Sequence, residues 1–202
     1  PIPTAKGIVI LLDLGANPDC KPENLLQFGI MGSVYAERAR GVKNPRVGLV
    51  SNGEEAGKGS ELVKMAYPLL AEAKLNFVGN LEGKELFGGH ADVAVADGFT
   101  GNVLLKSSEA VAKLLVDKIR ESIKGGGALA LLGGALIRPA MGKVRKLLDP
   151  AEEGAAPLLG VNGLAFIGHG RSDALAIKNA IRVAKEAAES KVLDALRSAI
   201  EE

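Results

Sequence analysis

The chain has 202 residues, 47% of them hydrophobic, with 26 glycines and a formal net charge of +1. That length and apolar content fit one α/β core and exclude a disordered or fibrous chain, while the near-neutral charge gives no global argument for a nucleic-acid partner. A single cysteine, Cys20, rules out an internal disulfide and suits a reducing compartment, so a cytoplasmic location is expected; no signal peptide is visible, and no apolar run approaches the roughly 20 residues of a membrane-spanning helix.

Taken in order, PIPTAKG leads almost at once into an apolar, β-rich run over 8–14, which closes on the polar turn of Asp13, Gly15, Ala16 and Asn17. A helix is predicted over 22–40. Residues 46–50 repeat the scheme, followed by the loop SNGEEAGKGS and a helix over 60–74 with Ser60 as its N-cap. A third short strand is predicted over 76–79. The glycine-punctuated connection GNLEGKELFGG is expected to carry one more strand at 85–87. Residues 93–96 read as a strand buried on both faces, and the apolar spacing that follows predicts a long helix over 102–124, ended by Gly125, Gly126 and Gly127.

Beyond the triple glycine the text changes character. ALALLGGALIRPAMGKVRKLLD has no strand signal and no acid before Asp149, and is read as a helical appendage over 125–149. Between Ser122 and Asp149 stand five basic residues, Lys124, Arg138, Lys143, Arg145 and Lys146, beside an apolar set that includes Leu129, Leu132, Leu136 and Ile137. Such a segment suits contact with an anionic membrane surface, a dimer interface, or steering of an acidic partner. An extended run over 157–167 then returns to the domain, with helices over 172–189 and 191–200. The organisation expected is a core over 1–124, the appendage over 125–149, and a return to the core over 150–202. Strands alternating with helices long enough for right-handed crossovers imply a three-layer α/β/α sandwich on a mostly parallel sheet.

Chemistry is expected where strands give way to helices. ADVAVADGFTGNVLLK passes from strand to helix through Asp97, Gly98, Gly101 and Asn102, where a helix start offers free N–H groups to an anion. Capping is the plainer reason for Asp97. Asp13 and Asn17 end the first strand in the same way, and if the two strands are neighbours these polar ends share one crevice. SNGEEAGKGS, with Asn52 and Lys58, nearly imitates a nucleotide-binding P-loop, but Gly59 stands where magnesium needs Ser or Thr. GHGRSD follows a strand and opens a helix, yet Asp173 replaces the third glycine of a dinucleotide fingerprint; a phosphate at that helix start remains chemically easy. His90, His169 and one cysteine cannot assemble a zinc site, and no GxSxG elbow is present.

Five stretches, LLDLGANPDCKPENLLQFGIMGSVYA, NPRVGLVSNGEE with KGSEL, NFVGNLEGKELF, ADVAVADGFTGNVLLKSSE and APLLGVNGLAFIGHGRSDALAIKNAI, resemble in order the phosphate acyltransferase family known as PlsX. The resemblance covers essentially the whole chain. It implies an acyl-[acyl carrier protein]:phosphate acyltransferase, which moves a fatty acyl group from carrier protein to inorganic phosphate at the start of phospholipid synthesis without metal or organic cofactor. It also implies a homodimer with a fold like that of the isocitrate and isopropylmalate dehydrogenases. Family members carry a further N-terminal part with a DAMGGD motif, so the chain is expected to be the later part of a longer enzyme. The implied catalytic set is Lys58, Asp97 and Asn102, with Asp13, Asn17, Asn52, Gly98, Gly101, Lys106, Asn162 and His169 binding substrate. An enzyme acting on coenzyme A thioesters, and a silent binding fragment, are the alternatives.

Overall fold

The computed structural model describes residues 1–201. Five strands form the main sheet: β1 (Ile2–Thr4), β2 (Gly7–Leu12), β3 (Arg46–Val50), β4 (Asn76–Leu81) and β5 (Val93–Val95), in the order β1-β2-β5-β3-β4. Only β1, an edge strand, runs antiparallel; it was not distinguished from β2 in the sequence. The other pairings are parallel, with β5 inserted between β2 and β3.

The strands are apolar on both sides because helices cover both faces. Ile10, Val47, Leu49, Val93 and Val95 point into one core with α1 (Pro22–Arg40), α2 (Glu61–Glu72) and α7 (Val192–Glu201). Val9, Leu11, Leu81, Ala94 and Ala96 point into the other, closed by β1, α3 (Gly83–Phe87) and the root of α4 (Gly98–Gly125). The result is a three-layer α/β/α arrangement on a mostly parallel sheet.

Three predicted elements differ from the observed ones. Residues 85–87 belong to helix α3, not to a strand: Glu85 accepts the Glu82 N–H at 3.0 Å, and Leu86 is buried under the sheet. Three residues are too few for periodicity to separate helix from strand. Helix α4 begins four residues earlier than predicted, because Asp97 caps it by accepting the Thr100 N–H at 2.8 Å. The run over 157–167 does not extend the main sheet. Its ends pair as an antiparallel hairpin, β6 (Ala155–Pro157) with β7 (Phe166–Gly168), packed on α6 (Ala174–Glu189). Ala187 of α6 and Val192 and Leu196 of α7 join the α1 side of the core.

Helix α5 (Gly127–Leu147) buries none of its residues and packs chiefly against α4, giving a two-helix arm. No helix among the described residues is long and apolar enough to cross a membrane.

At the amino edge of the sheet, Arg46 and Asp92 tie β3 to β5. The Asp92 carboxylate accepts Arg46 Nη2 at 2.9 Å, Arg46 Nε at 3.0 Å and the Arg46 backbone N–H at 2.9 Å, and the Asp92 N–H returns to the Arg46 carbonyl. These hydrogen bonds hold the Asp92 carboxyl below its ordinary range. Because the folded value is lowered, the stabilisation is complete above the unfolded value of about 4 and is lost as pH falls through the folded value. Asp92→Ala should cost about 1–2 kcal/mol, a melting point about 2–8 °C lower, allowing for a guanidinium that water partly reaches. The gap between wild type and variant should narrow below about pH 4. A gap unchanged from neutral pH to pH 3 refutes this account.

At the opposite edge, α4 sits directly on the loop after β2. A Cβ built on Gly101 would lie 1.8 Å from the Asp13 carbonyl oxygen, and one on Gly98 would lie 2.8 Å from that of Asn17. Both partners are backbone and cannot swing aside. Gly101→Ala should therefore destabilise by about 3 kcal/mol or more, the upper end of overpacking costs, as measured by chemical denaturation. A cost below about 1 kcal/mol would show that the loop yields freely.

Candidate functional site

The parallel pairing of β2, β5 and β3 brings three loops to one carboxyl edge: 13–17 after β2, Asp97–Gly98 at the root of α4, and 51–60 after β3. The first and third lead to helices on one face of the sheet, whereas the second leads to α4 on the other. Adjacent connections that diverge to opposite faces leave a crevice between them, the usual ligand position in open α/β sheets.

Main-chain hydrogen bonds lock the first two loops together. Asp13 N–H donates to the Ala96 carbonyl at 2.8 Å, Ala96 N–H to that of Leu12 at 2.6 Å, and Gly98 N–H to that of Asn17 at 3.0 Å. Asp13 spends its carboxylate on its own loop: Oδ1 accepts the N–H groups of Gly15 and Ala16, and Oδ2 that of Asn17. Asp97 acts in the same way at α4, where Oδ1 accepts the Thr100 N–H and Oδ2 the Thr100 hydroxyl at 2.7 Å. Asn102 lies half-buried one turn on, its Nδ2 3.5 Å from a Cβ built on Gly15. Asp13, Asn17, Asp97, Gly98, Gly101 and Asn102 are thus brought together.

The glycine N–H groups do not face a ligand as the sequence suggested. That of Gly98 is taken by Asn17 and that of Gly101 by the Asp97 carbonyl. The glycines serve close approach instead. A negative carboxylate already occupies the start of α4, so an anion is disfavoured there. The same holds at α6, where Asp173, rather than Ser172, is the cap and accepts the Ala176 N–H at 2.9 Å. The α2 start differs: its cap, Ser60, is neutral and accepts the Val63 N–H at 3.3 Å. Lys58 lies two residues before it, exposed, with no hydrogen bond or ion pair to its ammonium among the described residues. Its stem crosses Gly53, where an added Cβ would lie 2.6 Å from Lys58 Cγ. Of the three loops, this one is the most receptive to an anion. Asn52 is exposed on the same loop.

The remaining sequence candidates fall outside this cluster. Lys106 is exposed further along α4. Asn162 belongs to the β6–β7 hairpin, its Oδ1 accepting Arg197 Nη2 of α7. His169 is exposed, its Nδ1 accepting the Arg171 N–H at 3.3 Å. Cys20 donates its thiol to the Asn17 carbonyl at 3.1 Å, and burial, aided by nearby carboxylates, raises its pKa, so it is held as a thiol rather than a nucleophilic thiolate. Glu54 of the 51–60 loop gathers with Glu82 and Glu85, their carboxylates within 4.8 Å of one another. The Lys84 ammonium reaches them at 2.7, 3.4 and 3.3 Å and supplies the positive charge that a cation would bring. Asn80 and Thr100, whose side chains brace these loops, were not singled out in the sequence; the glycine before Asn80 inside a strand pattern was the available signal.

A profile of the family described as "Fatty acid synthesis protein" matches residues 1–195. The chain is 53% identical over 200 residues to a phosphate acyltransferase of Pelotomaculum thermopropionicum, an alignment covering 99% of this chain and 58% of that protein. It is 48% identical over 202 residues to a phosphate acyltransferase of Elusimicrobium minutum, covering 100% of this chain and 59% of the relative. With a third, from Aquifex aeolicus, it shares 53% identity over 185 residues, covering 92% of this chain and 55% of the relative. The chain therefore spans less than two thirds of the length of these curated relatives. With a family match along nearly its whole length, and with the α/β layers that the resemblance implied, the chain belongs to the fatty acid synthesis protein family, that of the PlsX-type phosphate acyltransferases.

Proposed function

We propose that the crevice at the β2, β5 and β3 ends holds inorganic phosphate against an acyl thioester, and that the whole enzyme transfers a fatty acyl group from acyl carrier protein to phosphate. The observation that carries this reading is the pairing of Lys58, whose ammonium has no partner among the described residues and which lies beside the neutral cap Ser60, with the interlocked Asp13 and Asp97 loops on the same rim. A phosphate oxygen attacks the thioester carbonyl carbon, the carbonyl oxygen carries the charge of the tetrahedral intermediate, and the C–S bond breaks to release the pantetheine thiolate and acyl phosphate. Positioning and charge stabilisation supply most of the rate for such a step. Lys58 takes the phosphate or the developing oxyanion. Asp97 and Asn102 shape the acyl side of the crevice, and Asp13 and Asn17 its floor. Asn52 is proposed at its margin, whereas Lys106, Asn162 and His169, which lie outside the cluster, are given no contact with phosphate in this reading.

We also infer that the α4–α5 arm serves assembly, with the enzyme cytoplasmic and peripheral on the membrane. Val111, Leu114, Leu115 and Ile119 leave α4 with an apolar stripe 43–57% exposed, suited to pairing with a second copy. Leu129, Leu132 and Leu136 are 61–84% exposed on α5 beside its basic residues, which suits an anionic lipid surface.

In the full-length enzyme, Lys58→Ala should lower acyl-phosphate formation at least about tenfold, a cautious floor for one lost charged hydrogen bond in a transition state. An unchanged rate with a native melting curve removes Lys58 from the site. Equal rates with coenzyme A and carrier-protein thioesters would favour the coenzyme A alternative. For the arm, co-sedimentation with anionic vesicles should fall with added salt and with Leu132→Glu. Equal sedimentation of variant and wild type, or none by either, refutes membrane contact.

A further inference from the structure

Beneath the Lys58 loop lies a buried amide that the strands have been bent to deliver. Along the β3–β4 pairing, Arg46 faces Asn76 and Val47 faces Phe77, but Leu49 faces Asn80, so β4 carries one residue more than β3 over that interval. The extra residue forms a bulge at Val78 and Gly79, where Gly79 takes φ +92°, a conformation that favours glycine. Because side chains alternate along a strand, one inserted residue reverses the side to which the following residue points. Asn80 is only 5% exposed as a result.

Its Nδ2 donates to the Glu55 carbonyl at 2.7 Å, and that same oxygen accepts the Lys58 backbone N–H at 2.9 Å. One carbonyl is therefore gripped from below by the sheet and from above by the turn that carries Lys58. Asn80 Oδ1 has no partner among the described residues, and neither has the buried hydroxyl of Ser51, the first residue after β3. A buried amide using half its capacity is a poor choice for packing, since an unpaired buried acceptor destabilises. The half that is used is the half that reaches the Lys58 turn.

We propose that Asn80 is a positioning residue: it fixes the turn over 55–58 so that the otherwise unpartnered Lys58 ammonium stands over the crevice, and through Lys58 it sets the affinity for phosphate. This rests on the reading that Lys58 holds phosphate. The bulge at Gly79 is the backbone device that aims Asn80, and the bare Gly53 lets the lysine stem lie close along the loop.

The experiment uses the full-length enzyme carrying Asn80→Ala, Asn80→Ser, Lys58→Ala, or Lys58→Ala together with Asn80→Ser. Steady-state rates are taken with inorganic phosphate and acyl thioester varied separately, and amide hydrogen exchange is followed across 51–82. Asn80→Ser should raise the KM for phosphate about five- to tenfold, leave that for the thioester unchanged, and speed exchange of the Lys58 amide about tenfold while the β3 and β4 amides keep their protection. Added to Lys58→Ala, Asn80→Ser should have no further effect on phosphate KM. Effects of the two substitutions that add, an unchanged phosphate KM in Asn80→Ser where Lys58→Ala raises it, or a Lys58 amide still protected in the Asn80 variants overturns the proposal. Should Asn80→Ala fail to fold, the serine variant, which keeps a small polar side chain but cannot reach the Glu55 carbonyl, decides alone. A Lys58→Ala enzyme with unchanged phosphate KM instead overturns the phosphate reading itself, and the proposal with it.

Discussion

The architecture of this edge depends on one close approach, in which α4 starts against the backbone of the loop after β2 with no side chain between them. Gly98 and Gly101 make that possible, and three main-chain hydrogen bonds between 12–17 and 96–98 make it specific. Once they are formed, β5 lies between β2 and β3, and the polar ends of two strands far apart in the chain become one surface. The cost is that the donors a ligand could have used are consumed internally. Asp13 and Asp97 close their own loops, and neither glycine N–H is free. What remains for an anion is the third loop, with a neutral cap and an unpaired lysine.

The division of labour follows from electrostatics. Two carboxylates at neighbouring strand ends make the β2–β5 side of the crevice negative, and a phosphate dianion is repelled there unless a cation stands across from it. Lys58, on this rim, has no carboxylate partner among the described residues, whereas Lys84 next to it is bound up with three glutamates. The two lysines lie near each other on the chain's fold and are chemically opposite: one is neutralised to hold a loop, the other is left with its charge to spend.

Local signals carried most of the element reading. Pro22 at a helix start and Gly41 after its end bracket α1, and the run RVGLV is β3 itself. Pairing order was beyond sequence, because the position of β5 between β2 and β3 depends on contacts more than 40 residues apart, such as that of Arg46 with Asp92. The strand expected at 85–87 failed because a three-residue apolar stretch reads the same in either conformation, and reciprocal capping between Glu82 and Glu85 decided for helix. At the site, residue types were legible but duties were not: Asp97 looked like a ligand and is engaged as a cap. Asn80 escaped notice because its importance lies in a reversed alternation that only the register with β3 reveals.

Helix α4 also has a mechanical consequence. Its 28 residues make a rod about 42 Å long at 1.5 Å per residue, rooted at the crevice and ending at the junction with α5. Only Gly98 and Gly101 along it are fully buried, so the root alone is clamped. A rod held at one end is a lever: a tilt of about 5° at the root displaces the far end by about 4 Å, and a load at the far end is felt as torque at the root. The turn of Asp97, Thr100 and Asn102 is the fulcrum, so geometry at the strand ends and the attitude of the distant arm are coupled by stiffness alone.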